Sequence, residues 1–202
     1  MISMGHKHSD HQERPDIPSV RFLREELARE ESRCSFRKTI LNIAGVLVVA
    51  AAITALAVPR IFVLLQVNGG SMMPTLAEGE IIVLRQTKEV EKGDIIGFYY
   101  GGNILLKRVI GSEGDYIEID GEGNVYVNSE KIDEPYLTER TLGKCEIDFP
   151  CQVPEEMFFV LGDNRAVSID SRINAIGYVK NSQIVGRAAF RAWPLDRIGN
   201  MH

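Results

Sequence analysis

The chain has 202 residues, of which 45% are hydrophobic and 25% charged, and a formal net charge of −5. This length is enough for one domain with a substantial core and additional segments. Residues 61–202 carry 14 Lys and Arg against 21 Asp and Glu, a balance of −7, whereas residues 1–60 carry 9 against 7. An acidic main domain without a basic stripe excludes nucleic acid as the main partner.

Residues 1–38 form a polar segment that we expect to be cytoplasmic. Residues 1–18 contain three histidines among polar residues, and a flexible, disordered tail is favoured over a metal site. Residues 20–37 are dense in charge and have few apolar side chains. They suggest a short solvated or membrane-surface helix that runs into the next segment.

Residues 39–58 (TILNIAGVLVVAAAITALAV) contain no charged side chain. A helix of this length spans roughly 30 Å, the thickness of a bilayer core. A buried core helix is the alternative, but core helices of soluble proteins are seldom uncharged for so long. A cleaved secretory signal would have a shorter apolar core with a small-residue cleavage site close behind it. We therefore predict an uncleaved transmembrane signal-anchor helix over residues 39–58.

The flanks of this helix predict its orientation. Arg33, Arg37 and Lys38 lie immediately before it, and only Arg60 follows closely. The positive-inside rule places the N-terminus in the cytoplasm and the domain of residues 59–202 on the outer face of the cell membrane.

The cysteines fit this arrangement. Cys34 would be cytoplasmic and reduced, whereas Cys145 and Cys151 would lie on the outer side, six positions apart. A disulfide between these two is plausible in an oxidising compartment, and two unrelated buried thiols are the alternative. Their spacing matches no zinc site, and we expect neither a metal nor a cofactor.

After residue 60 the chain becomes a succession of short β-prone segments bounded by Gly, Asp, Asn or Pro. Residues 115–121 (DYIEIDG) alternate apolar and polar side chains, as a half-buried strand does, and residues 121–124 (GEGN) are typical of a hairpin connection. No long amphipathic helix is predicted here. The fold class is therefore mainly β, an antiparallel β-sheet domain tethered by one N-terminal transmembrane helix.

Ser71 lies in the most unusual turn of the chain, between Gly69-Gly70 and a Met-Met-Pro sequence. The glycines allow the backbone a close approach to whatever lies in front of the hydroxyl. All four histidines are at residues 6, 8, 11 and 202, near the chain ends, so a Ser-His-Asp triad is excluded. If Ser71 is a nucleophile, its base is a carboxylate or a lysine.

Lys107 is the candidate base, because it lies in the otherwise mostly apolar segment ILLKRVI, residues 104–110. A free lysine has a pKa near 10.4, and burial can lower that pKa by several units. The alternative is a lysine whose ammonium extends to solvent. By strand alternation Arg108 points to the opposite face, so at most one of the two faces a given site.

Residues 162–172 (GDNRAVSIDSR) are dense in hydroxyls, acids and arginines. A solvated loop with local Asx turns would account for this composition. The competing interpretation is a scaffold whose charge pairs fix the loop and present one hydroxyl to the base.

Together these segments resemble the bacterial type I signal peptidases, membrane-bound serine proteases with a Ser/Lys dyad. Each motif alone is weak, and their order and spacing make the resemblance specific. It covers the chain from the anchor to the C-terminus and is carried by residues 71–75 (SMMPT), 93–96 (GDII), 107–111 (KRVIG), 114–115 (GD), 162–165 (GDNR), 168 (S), 170–172 (DSR) and 191–194 (RAWP).

The resemblance implies a signal-peptidase-like β fold and a role for each matching residue. Ser71 would be the nucleophile, Lys107 the general base, and Ser168 the hydroxyl that orients the lysine. Charge pairs would hold the site together, with residues Asp170 and Arg172, and Asp163 and Arg108. The pocket beside the nucleophile would be lined by Leu65, Val67, Met72, Leu105 and Leu106.

Two positions depart from the pattern. Some family members have a serine that helps to bind the oxyanion where this chain has Gly69, so either the backbone N–H of Ser71 or a backbone group near Gly69 would take over. Ala166-Val167 replaces residues that are usually more polar, which affects local hydrogen bonding and not the catalytic assignment.

The implied substrates are secreted preproteins with small residues at positions −3 and −1 from the cut, and the implied partners are the lipid bilayer and, as a candidate, a secretion translocon. Three alternatives remain: a specialised peptidase for conjugation or pilus precursors, a catalytically silent membrane-anchored binding module, and a self-cleaving repressor. The repressor would need a DNA-binding region and no membrane anchor.

Overall fold

The computed structural model describes residues 20–201, so the disorder expected for residues 1–18 lies outside the described residues. The first element is one continuous helix, α1, over Val20–Ile61. Within it, Lys38–Leu56 is long and apolar enough to cross a membrane, with a mean hydropathy of 2.3. The charged segment and the predicted anchor are therefore parts of the same helix, and the anchor boundaries at residues 39 and 58 stay a prediction.

The chain divides into two compact units, residues 1–54 and residues 55–202. The second unit is built from short strands, as the alternation of β-branched and aromatic runs with turn residues predicts. Its twelve described strands are β1 Phe62–Gln66, β2 Ile81–Arg85, β3 Ile95–Tyr100, β4 Asn103–Ser112, β5 Tyr116–Ile119, β6 Val125–Val127, β7 Glu130–Lys131, β8 Cys151–Gln152, β9 Met157–Leu161, β10 Val179–Lys180, β11 Ile184–Trp193 and β12 Gly199–Asn200.

Eight strands form the larger sheet, in the order β1-β2-β11-β3-β4-β9-β10, with β12 paired to the end of β11. All of its pairings are antiparallel. The long strand β11 pairs with β2 on one side and β3 on the other, with register shifts on both sides, so it lies in the interior of the sheet. The mainly antiparallel β fold predicted from the sequence is confirmed.

The smaller sheet has four strands in the order β7-β6-β5-β8. Its hairpin pairs Ile117 with Val127 and Ile119 with Val125, and the connection between the strands is the predicted GEGN turn. Residues 117, 119, 125 and 127 are buried against the β9 residues Phe159 and Leu161 in one apolar cluster. This cluster packs the smaller sheet against the larger one.

Two strand edges of the larger sheet, one on β1 and one on β4, border the site. Among the described strands, β1 pairs with β2 alone and lies at the edge of the sheet. The first half of β4, Asn103–Lys107, pairs with β3, whereas β9 joins β4 only from Arg108 onwards. Each of these segments therefore presents an unpaired edge, and the loop that carries Ser71 follows directly after β1.

Candidate active site

The loop that carries Ser71 is closed by backbone hydrogen bonds at its base. The Val67 N–H donates to the Glu80 carbonyl at 2.8 Å, and the Gly79 N–H donates to the Val67 carbonyl at 2.9 Å. Gly69 has a φ of +80°, a conformation that L-residues with a side chain rarely adopt. The glycine is therefore required for the turn that delivers Ser71 to the edge of the sheet.

Ser71 and Lys107 are in direct contact. The Lys107 Nζ donates to the Ser71 Oγ at 2.7 Å, although the two residues are 36 positions apart. Lys107 is only 3% exposed, so its head does not extend to solvent as the alternative required. The Arg108 side chain is bound to Asp163 instead, so the two neighbouring cations have separate partners.

Burial lowers the pKa of Lys107 from its ordinary value of 10.5 to about 8. Desolvation is the largest cause, because taking an ammonium out of water disfavours its charged form. The carboxylates of Asp170 and Asp163 oppose this effect, and the Arg172 guanidinium adds to it. With this pKa roughly a tenth of the amines are neutral at pH 7, far more than for a free lysine, and a neutral amine can accept the serine proton.

Asp163 and Arg108 form a buried, bidentate ion pair. The Arg108 Nε donates to Asp163 Oδ1 at 2.9 Å and its Nη2 donates to Oδ2 at 2.6 Å. The Thr75 hydroxyl donates to the same carboxylate, and the Tyr136 ring lies 3.9 Å from the guanidinium carbon of Arg108. This pair therefore ties the nucleophile loop to strand β4.

Asp170 and Arg172 form a second bidentate pair, with both distances at 2.8 Å. Asp170 also accepts a hydrogen bond from the Gly162 N–H at 3.0 Å, and Arg172 donates to the Arg165 carbonyl at 3.0 Å. Asp170 and Arg172 are both fully buried. The loop of residues 162–172 is thus held internally by charge pairs, and its solvated alternative does not describe it.

This loop also contacts the nucleophile directly. The Asn164 N–H donates to the Ser71 carbonyl at 3.0 Å. A Cβ added at Gly162 would lie 2.5 Å from that same carbonyl oxygen and 2.1 Å from Ser168 Oγ. Only a glycine at position 162 therefore allows the loop to approach the serine this closely.

Ser168 is buried beside Gly162, but its hydroxyl has no hydrogen-bond partner within the part of the chain that the structure describes. The structure thus places Ser168 near the dyad without the hydrogen bond to Lys107 that the resemblance implies. Its role in orienting the lysine stays a prediction.

A third buried ion pair was missed from the sequence. The guanidinium of Arg165 donates to both carboxylate oxygens of Glu134, and the Tyr136 hydroxyl donates to Glu134 at 2.8 Å. Burial, followed by the nearby Glu134 charge, raises the pKa of Tyr136. Glu134 is 31 positions from Arg165, in a segment with no motif of its own, so only the folded chain shows this pairing.

The edges of β1 and β4 open into one cavity of about 520 Å³ that includes Ser71 and Lys107. All five predicted pocket residues line it: Leu65, Val67, Met72, Leu105 and Leu106. The cavity is also lined by four polar or aromatic residues outside the predicted set of pocket residues, namely Gln66, Asn68, Tyr99 and Asn103. Its size is in the range of ligand-binding pockets.

Cys145 and Cys151 are free, half-buried thiols in this structure. The Cys145 thiol donates to the Ile147 carbonyl at 3.3 Å, and burial raises the pKa of Cys151. The disulfide, one of the two alternatives, is therefore not formed in this structure. The pairing of the two cysteines stays a prediction. Neither thiol contacts the dyad among the described hydrogen bonds.

The fold and the site together define a class of protein: a β-rich serine hydrolase whose base is a buried lysine. The sequence comparisons make this more specific. The family described as signal peptidase, peptidase S26, matches residues 40–193 of this chain. The signal peptidase I S of Bacillus subtilis is 34% identical over 176 residues, covering 81% of this chain and 95% of that protein.

The signal peptidase IB of Staphylococcus aureus is 37% identical over 150 residues, covering 64% of this chain and 77% of that protein. A signal peptidase I crystal structure from Enterococcus faecalis V583 covers 50% of this chain and 97% of that chain, with 32% identity and a TM-score of 0.42. The family match and the Bacillus relative show the family: the chain belongs to the signal peptidases of the peptidase S26 family.

Proposed function

We propose that this protein is a membrane-anchored serine endopeptidase that removes N-terminal signal peptides from secreted preproteins. The observation that carries the proposal is the 2.7 Å contact between Ser71 Oγ and a Lys107 that burial has made weakly basic, in a chain of the signal peptidase family. All four histidines lie near the chain ends, at residues 6, 8, 11 and 202, so we assign the role of the base for the serine to the lysine.

The chemistry begins with neutral Lys107 accepting the Ser71 proton while Oγ attacks the carbonyl carbon of the scissile peptide. Collapse of the tetrahedral intermediate breaks the C–N bond, and the Lys107 ammonium returns its proton to the leaving amine. The mature protein departs, and the signal peptide remains as an ester on Ser71. Lys107 then takes a proton from water, whose oxygen attacks the ester carbon. Collapse of this second intermediate breaks the C–Oγ bond, Lys107 returns the proton to Ser71 Oγ, and the signal peptide leaves with a free C-terminal carboxyl group.

The oxyanion of each intermediate needs hydrogen-bond donors. We assign the backbone N–H of Ser71 to this role, since Gly69 offers no side-chain donor. Losing one oxyanion donor typically costs on the order of a hundredfold or more in rate. The turn around Gly69, with its positive φ, leads directly into Ser71 and would orient this amide towards the substrate carbonyl.

The surrounding residues would act by positioning. The Asp163–Arg108 pair links the nucleophile loop to β4, and the Asp170–Arg172 pair fixes the loop whose Asn164 N–H binds the Ser71 carbonyl. Ser168 would orient the Lys107 amine once substrate is bound. Loosening any of these would shift the nucleophile by a fraction of an ångström and reduce the rate.

The substrate would bind as an extended strand between the two unpaired edges, about residues 64–68 and 104–106, in the cavity that they line. Main-chain hydrogen bonds to these edges give affinity, and shallow pockets give specificity. Leu65, Val67 and Leu106 pack together with buried Met72 beside the nucleophile. We expect these apolar walls to accept small side chains at positions −1 and −3 of the substrate.

The candidate membrane helix and the signal peptidase relatives indicate a membrane-anchored protein. We propose that the N-terminus is cytoplasmic and that the catalytic domain lies on the outer face, as the flanking charges predict. The apolar helix of a signal peptide would then lie in the same bilayer, which raises its local concentration at the site. The lipid bilayer is thus a partner, and a secretion translocon is a candidate partner.

The decisive experiment is cleavage of a preprotein with a small-x-small site by the full chain in detergent. Ser71→Ala and Lys107→Ala should each lower kcat/KM by at least about a thousandfold, because nucleophile and base act as a unit. Labelling with a serine-reactive acylating probe should map to Ser71. Activity retained in either variant would remove the dyad, and a folded wild-type protein that is not acylated would favour a silent binding module. Cleavage restricted to pilus or conjugation precursors would favour a specialised peptidase.

A further inference from the structure

The sequence motif RAWP, residues 191–194, does not line the cavity that holds the dyad. Its first residue, Arg191, belongs to strand β11 and pairs with Ile82 of β2. The pairing between these two strands shifts its register on both sides of Arg191. Such irregularities bend a strand and re-aim its side chains. Only 14% of the Arg191 side chain is exposed, so its charge needs partners inside the domain.

Arg191 contacts two groups of the loop that carries Ser71. Its Nη2 donates to the Thr75 carbonyl at 2.6 Å, four residues after the nucleophile. Its Nε lies 2.9 Å from Oε2 of Glu80, a buried residue that directly precedes β2. These two atoms are not aligned as a hydrogen bond, so their contact is electrostatic. One guanidinium thus connects the middle of the loop with its end.

Thr75 is held from two directions. Its hydroxyl donates to Asp163, and its carbonyl accepts from Arg191. The turn that follows the nucleophile is itself closed, because the Leu76 N–H donates to the Met72 carbonyl at 2.8 Å. A displacement of Thr75 would therefore be passed along this turn to the serine.

Glu80 links the Arg191 contact to the backbone closure of the loop. Its carbonyl accepts the Val67 N–H at 2.8 Å, and its carboxylate faces Arg191. The other carboxylate oxygen, Oε1, accepts from Nη1 of Arg197 at 2.7 Å. The Arg197 side chain is 43% exposed, and its described contact is with this carboxylate. Two arginines therefore bind one buried carboxylate, and the inner one also binds the Thr75 carbonyl.

We propose that Arg191, oriented by Glu80, is a positioning residue that fixes the nucleophile loop through the Thr75 carbonyl. A planar guanidinium can meet a carboxylate and a carbonyl at once in a fixed geometry, whereas a lysine ammonium is a point charge without this fork. Ser71 must stay within hydrogen-bond reach of Lys107, and a misplacement of about 1 Å caused by a distant substitution can cost about a hundredfold in rate. This inference rests on the proposed function.

The test measures two quantities with the full chain in detergent. One is the rate constant for acylation of Ser71 by a serine-reactive probe, and the other is kcat and KM for a peptide with a small-x-small site. The fraction of molecules that is labelled at saturation counts the folded enzyme, and both rates are expressed per labelled molecule. A loss of folded protein therefore lowers the labelled fraction and not these rates.

Arg191→Ala should lower the acylation rate constant and kcat about ten- to hundredfold, and change KM by less than about threefold, because the loop and not the substrate cleft is displaced. Arg191→Lys should lower both rates by at least about fivefold while labelling to the wild-type fraction, since the charge is kept and the fork is lost. Glu80→Gln should slow both rates by about three- to tenfold. Adding it to Arg191→Ala should cause no further loss, because the two side chains act through one contact.

Arg197→Ala is the matched control, because it also removes an arginine from the Glu80 carboxylate but leaves the Thr75 carbonyl bound. Its rates should stay within about twofold of the wild type. The inference is wrong if Arg191→Lys acylates and cleaves at wild-type rates per labelled molecule, if Arg197→Ala is as slow as Arg191→Lys, or if the losses multiply in the double variant. A wild type that is neither acylated nor active on the peptide overturns the proposed function, and this inference with it.

Discussion

Lys107 and Arg108 are neighbours on one strand, equally buried, and treated in opposite ways by the fold. Arg108 is 5% exposed and its charge is met by a bidentate carboxylate, a carbonyl and an aromatic ring. Lys107 is 3% exposed, and among the described residues its polar contact is the Ser71 hydroxyl, with the carboxylates acting from a distance. One face of β4 compensates its cation, and the other leaves its cation poorly solvated.

This difference separates scaffold from chemistry. A buried ion pair with complete hydrogen bonding fixes the geometry of the segments it joins. A buried lysine without a close carboxylate gives up its proton easily, which is what a general base requires. The same depth of burial thus yields a rigid tie on one side and a reactive amine on the other.

Breaking the ion pair between Arg108 and Asp163 should have the largest effect on the free energy of unfolding. Asp163→Asn leaves the Arg108 guanidinium buried without its carboxylate, which typically costs about 3 to 5 kcal/mol of unfolding free energy. Unfolding can be followed by the fluorescence of Trp193, the single tryptophan of the chain. Lys144→Ala, which breaks the pair with Glu146 where the lysine is 74% exposed, is the control and should cost less than about 1 kcal/mol. A comparable loss of unfolding free energy in both variants would contradict the role of the Arg108–Asp163 pair as a structural tie.

Removing the charge of Lys107 should instead increase the free energy of unfolding. Lys107→Met eliminates the desolvation penalty of a group whose folded-state pKa is about 8 and whose unfolded value is 10.5. At pH 7 the variant should be more stable by on the order of 1 to 3 kcal/mol, while cleavage is lost. Wild-type stability should rise between pH 8 and 10.5, where only the unfolded state binds the proton, and the variant should lack this rise. A destabilised, inactive variant would show that Lys107 is compensated after all.

The contact between the loop of residues 162–172 and the loop that carries Ser71 can be tested at Gly162. A Cβ added there would meet the Ser71 carbonyl and the Ser168 hydroxyl. Gly162→Ala should destabilise the domain by about 1 to 3 kcal/mol because it displaces the nucleophile loop. It should also lower kcat by a larger factor than it changes KM. Gly121→Ala, with nothing within 4 Å of its added Cβ, is the matched control. Equal effects of the two substitutions would rule out the close approach as the cause.

The smallest expected effect is the change in kcat/KM for each pH unit as Lys107 titrates. If neutral Lys107 is the base, kcat/KM should fall about tenfold for each pH unit below the pKa of about 8, equivalent to about 1.4 kcal/mol per unit. The measurement is a pH profile with a preprotein or peptide substrate in which the substrate itself does not titrate. A profile that stays flat down to pH 5 would exclude a lysine base.

Several properties follow from the sequence without the fold. The uncharged residues 39–58 are apolar over a membrane-spanning length, and the β-prone runs after residue 60 alternate with turn residues, so local composition predicts both the anchor and the β class. The placement of every histidine near a chain end excluded a histidine base. The motifs around Ser71 and Lys107 then indicated the family, because their order is specific even though each is short.

Other properties depend on contacts between distant segments. The pairing of Glu134 with Arg165, the approach of Gly162 to the Ser71 carbonyl and the extension of the cavity to Tyr99 have no local signal, since each joins residues that only the folded sheet brings together. The same is true of the basicity of Lys107. An apolar neighbourhood in sequence made burial plausible, but the pKa is lowered because the tertiary structure removes water from Lys107 while its neighbour Arg108 takes Asp163 as its close partner.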